Sequence, residues 1–65
     1  MEQATRIGWP AEAHELAALE HEDMARQWLA VGDRRHAEIE LSRTTIHRRA
    51  AAIKRELAAT EPAGA

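Results

Sequence analysis

Gly32-Asp33 is the feature that most constrains this chain, because it separates two long helix-forming runs. Glycine is preferred just past a helix C-terminus, where the backbone needs a positive φ. Aspartate is a preferred N-cap, since its carboxylate accepts hydrogen bonds from the first amides of a following helix. Side by side, the two residues predict a tight turn between antiparallel helices. The expected fold is all-α: a two-helix antiparallel hairpin over residues 9–59, with helices over 9–31 and 34–59 and a turn at 32–33. Flexible tails are expected at 1–8 and 60–65.

The second expectation comes from size. Sixty-five residues make one domain at most, and domains this small seldom build a sufficient core alone. The chain has no cysteine, which removes disulfides and thiolate zinc sites. Trp9 and Trp28 are its only aromatic residues apart from histidine. Self-association into a four-helix bundle, a homodimer of hairpins, would supply the missing core. The sequence from Met1 to Pro10 has no apolar signal-peptide region. No run approaches the roughly 20 apolar residues of a membrane span. A soluble, cytoplasmic protein is expected, and the abundance of Ala and Arg suits a bacterial source.

Along the first run, Trp9-Pro10 opens the helix, with proline where its missing amide costs nothing. Trp9, Ala13, Leu16, Ala17, Met24, Trp28 and Val31 fall on one broad face at 3.6 residues per turn. Leu19 and Leu29 lie off it, and His14 and His21 are expected on the polar side. In the second run Ile39, Ile46 and Ile53 recur every seven residues, with Ala50 and Leu57 beside them. That row predicts a coiled-coil-like oligomer seam. Thr60, Pro62 and Gly64 mark the stop.

Charge divides the chain as well. Its net charge is −2. Yet residues 1–32 carry six acids against Arg6 and Arg26, and residues 33–65 carry seven bases against five acids. The halves should attract each other across the hairpin. A basic surface for an acidic partner is the alternative. Arg34, Arg48 and Arg55 share a heptad line with Leu41, opposite the isoleucines. With Trp28 and Leu29 they are the candidate partner-binding residues, since Trp and Arg are enriched at interaction hot spots.

The segment Leu41-Ser42-Arg43-Thr44-Thr45-Ile46-His47-Arg48-Arg49 resembles the recognition helix of helix-turn-helix DNA-binding proteins. The resemblance implies a small transcriptional regulator with Ile46 packed inward. Arg43, Thr44, His47 and Arg48 would then face the major groove, with Ser42 on a phosphate. The residues themselves also allow one continuous helix, because no breaker stands between Arg34 and Ser42.

Catalytic and cofactor chemistry find little support. There is no glycine-rich phosphate loop and no nucleophile–base–acid pattern. Asp33-x-x-His36 only approximates the Glu-x-x-His of dimetal bundles, and His36 with Glu40 could at most chelate along one face. No metal, cofactor, membrane contact or enzyme activity is expected. The expected function is a small non-enzymatic interaction or regulatory module, which self-associates and presents helix faces to an unidentified partner protein.

Overall fold

The computed structural model describes residues 8–60, in two antiparallel helices. These are α1 (Ala11–Ala30) and α2 (Arg34–Thr60), packed along their length. The expected hairpin is present, and there is no strand among the described residues. Helix α1 starts two residues later than the sequence suggested. Pro10 is its N-cap in extended geometry (φ −71°, ψ 164°), and the Pro10 carbonyl accepts from the Ala13 and His14 amides. Trp9 precedes the helix, while Thr60 still belongs to α2. The tails expected at 1–8 and 60–65 fall largely on residues 1–7 and 61–65, which lie outside the described residues.

The turn is built as the glycine–aspartate pair predicts. The Gly32 amide donates to the Leu29 carbonyl at 3.0 Å and the Asp33 amide to the Trp28 carbonyl at 2.9 Å. This pattern closes a helix through a left-handed residue, and Gly32 supplies it with φ +80°. Asp33 then caps α2: its Oδ1 accepts from the His36 amide at 3.0 Å, and its Oδ2 meets His36 Nδ1 at 2.7 Å. The His36 amide, followed by the His36 ring, holds the Asp33 carboxyl below its usual range. One residue thus ends the hydrogen bonding of α1 and begins that of α2.

The seam between the helices is narrow. From α1 it takes Ala11, Ala18 and Ala25, and from α2 Ala37, Thr44 and Ala51, all buried. Each trio recurs every seven residues. The Thr44 hydroxyl shares its hydrogen between the Glu40 carbonyl of its own helix at 3.0 Å and the Ala18 carbonyl across the seam at 3.3 Å. A threonine side chain reaches a neighbouring backbone this way only where the two helices run close together. Small residues permit that approach. The hairpin measures about 51 × 23 × 13 Å, a slab two helices wide and one helix thick.

Candidate functional site

Beside the alanine rows runs a polar row that the sequence did not suggest. His14, His21 and Trp28 of α1 face Glu40 and His47 of α2. His14 and His47 are 4% and 5% exposed, and their Nδ1 atoms stand 2.9 Å apart, one donating to the other. His21 Nδ1 lies 2.7 Å from Glu40 Oε1, and Arg43 Nη1 reaches the same oxygen at 3.4 Å. The rings stack as a column. Trp9 lies 5.6 Å from the His47 ring and nearly parallel to it, while His21 lies on His47 at 5.5 Å. At the turn end Trp28 stacks on His36 at 4.4 Å. Burial pushes the Glu40 carboxyl up, but the His21 hydrogen bond and the Arg43 charge outweigh it and hold the group below the usual carboxylate range. No buried side-chain polar atom among the described residues lacks a partner, so hydrogen bonds offset the cost of burying polar groups in the seam.

This placement corrects the expectation that His14 and His21 sit on the polar side of α1. His14 is buried and His21 half-buried, because each finds its partner on α2. His36 and Glu40 do not act together either: His36 turns to Asp33 and Glu40 to His21. No group of three or more potential metal ligands comes together among the described residues. The missed signal was a periodicity of size and polarity rather than of hydropathy. Ala11-Ala18-Ala25, His14-His21-Trp28, Ala37-Thr44-Ala51 and Glu40-His47-Lys54 are four seven-residue rows that can be read directly from the chain.

One flank of the seam is charged. Arg48 Nη2 donates to Glu22 Oε2 at 2.9 Å and Arg55 Nη2 to Glu15 Oε1 at 2.5 Å, both across the hairpin. Arg48 holds the Glu22 carboxyl low, and Glu15 raises the Arg55 guanidinium. Here the acidic first half and basic second half of the chain meet as attracting helices. Two of the three arginines proposed for partner binding are therefore engaged within the hairpin, while Arg34 is exposed at the turn end. Trp28 is half-buried on His36, and Leu29 is 52% exposed.

The other flank and the outer face of α2 carry the isoleucine row. Ile39, Ile46, Ile53 and Leu57 are all exposed, Ile46 by 61%, and Ala50 is half-buried. Met24 and Val31 of α1 are also exposed. With Trp28, Gln27 and Glu40 they line a shallow open notch of about 380 Å³. Of the apolar face expected on α1, Trp9 and Trp28 reach α2 through His47 and His36, but Leu16 is 61% exposed and Val31 74%, since the alanine and histidine rows occupy the seam.

Residues 42–49 belong to the uninterrupted helix α2. Of the groove-facing set, Ser42, Arg43 and Arg48 are exposed, whereas Thr44 and His47 are buried against α1 and Ile46 points outward. The hairpin therefore does not bring those five residues onto one open surface. Nor do comparisons add a relative, for the chain matches no protein family, no curated protein and no solved structure.

Proposed function

We propose that this chain is a small non-enzymatic interaction module, whose hairpins pair through the isoleucine face into a four-helix bundle and offer their remaining helix faces to a partner protein. One observation carries the reading. Every leucine, isoleucine and methionine of the described helices, together with Val31, lies at least 40% exposed, while the seam buries alanine, threonine and histidine. A two-helix slab that spends its own contact on small side chains gains little from apolar burial. It leaves its large apolar side chains exposed, and exposed apolar surface marks association sites. Ile39, Ile46 and Ile53 keep the spacing of a helix-packing seam, and a second copy presents the same row. The shallow, open notch beside Trp28 suits a docked side chain better than an enclosed reaction. A DNA-reading role for residues 42–49 asks Thr44 and His47 to leave the seam, and is the weaker reading for that reason.

The test is the molar mass of the purified chain by light scattering, with circular dichroism on the same sample. The expected result is a helical dimer at low and moderate salt, converted to a helical monomer by Ile46→Asp, because Ile46 makes no part of the hairpin seam. A wild-type monomer that remains fully helical would refute the pairing.

A further inference from the structure

We propose that the buried His14–His47 pair is a proton-operated latch on the hairpin. Neutral, or sharing one added proton, it joins α1 to α2; a second added proton drives the helices apart.

The argument rests on the geometry of one gap. The two Nδ1 atoms are 2.9 Å apart, which is a hydrogen bond with one hydrogen in it. A neutral pair satisfies it with one Nδ1–H and one lone pair. A single added proton on Nε2 of the donating ring, the one far-side nitrogen with a free lone pair, still leaves a donor and an acceptor. Once both rings are imidazolium, both Nδ1 atoms carry hydrogens, so the acceptor is gone and two like charges share a seam that is 4% and 5% exposed. His47 cannot readily swing aside, because its ring lies between those of Trp9 and His21 at 5.6 and 5.5 Å. Whatever else His47 touches, that gap admits one hydrogen.

The charged groups around the pair set the sign. On α2, Glu40 stands one heptad before His47 and is committed to His21 and Arg43. Lys54 stands one heptad after His47, half-buried, and adds positive charge at that end of the row. On α1, Glu15 follows His14 directly and is held by Arg55. His21 lies on the same side of the seam, with its Nδ1 2.7 Å from Glu40 Oε1. The latch is a separate element with its own direction. An unfolded chain takes a proton on each of the two rings near pH 6.5, whereas the closed pair accommodates one fewer. The folding constant therefore falls as pH drops below that range, by up to about tenfold per pH unit for one proton. The latch acts within a single hairpin, so it stands whether or not hairpins pair.

The experiment is urea unfolding of the full chain at one fixed concentration from pH 7.5 to 5.0, followed by circular dichroism and tryptophan fluorescence. Trp9 reports on the pair beneath it. The wild-type folding constant should drop at least tenfold between pH 6.5 and 5.0, and His14→Ala/His47→Leu should remove that drop. A flat wild-type profile, or the same drop in the double variant, would overturn the latch. If the double variant does not fold, nitrogen-15 imidazole spectra of the wild type decide. The expected result at pH 5.5 is a surviving unprotonated Nδ1 in the folded population. Two fully protonated rings in an intact hairpin would be the contrary result.

Discussion

Two rows on α2 share a seven-residue spacing and have opposite fates. Ala37, Thr44 and Ala51 are buried to between 1% and 3% exposure, while Ile39, Ile46 and Ile53, two positions further on, are 44% to 61% exposed. Hydropathy alone would reverse that order. What decides it is fit: a seam narrow enough for a threonine hydroxyl to reach the opposite backbone selects side chains by volume. The apolar row is then left outside the contact that the hairpin makes with itself.

The contrast breaks most severely at its narrowest point. Ala18→Leu puts three extra carbons where the seam has no space, and should cost about 3 kcal/mol or more of hairpin stability in urea titration. Ile46→Ala, on the outer row, should leave helix content in a dilute sample unchanged. A smaller effect is expected at the turn, for Gly32→Ala. Nothing lies within 4 Å of the added methyl, so the cost is that of φ +80° alone, about 1–2 kcal/mol, read as a lowered urea midpoint.

Glu40 sharpens the comparison from the polar side of the seam. Its folded carboxyl titrates below the ordinary value of 4.5. Its contribution is therefore complete above that pH and is lost as pH falls through the lower folded value. In Glu40→Gln this acid-dependent loss should disappear from thermal melts taken between pH 5 and 3, and stability at pH 7 should fall by about 1–3 kcal/mol. The smallest effect belongs to the charged flank. Arg48→Ala removes an exposed ion pair and should leave the melting curve within experimental scatter at moderate salt. A marked loss there would show that the flank, rather than the seam, holds the helices together.

The parts legible in the sequence are those where one residue type constrains the backbone by itself. Gly32 and Asp33 specify their turn locally, and Pro10 specifies a start. The attraction of the two halves was legible too, because Glu15, Glu22, Arg48 and Arg55 need only be on facing helices to meet. The seam was not legible from apolarity, since Ala and Thr carry weak hydropathy. A histidine or glutamate is buried only when a partner on the other helix satisfies it. His14 needs His47, and His21 needs Glu40; neither dependence is visible along a single helix. The isoleucine row is legible as a seven-residue repeat, and the hairpin leaves that row uncovered.

The short turn has a consequence for how such a chain can change. With Val31, Gly32 and Asp33 alone between the helices, and Asp33 bonded into both, there is no slack to absorb an added residue. One insertion would rotate α2 by about 100° on its axis. That rotation would break the pairing of Thr44 with Ala18 and of His47 with His14, and carry the isoleucine side toward α1. The turn thus sets the phase of the whole molecule. Substitutions can accumulate on the outer faces, but a change of length at this point would yield a different object.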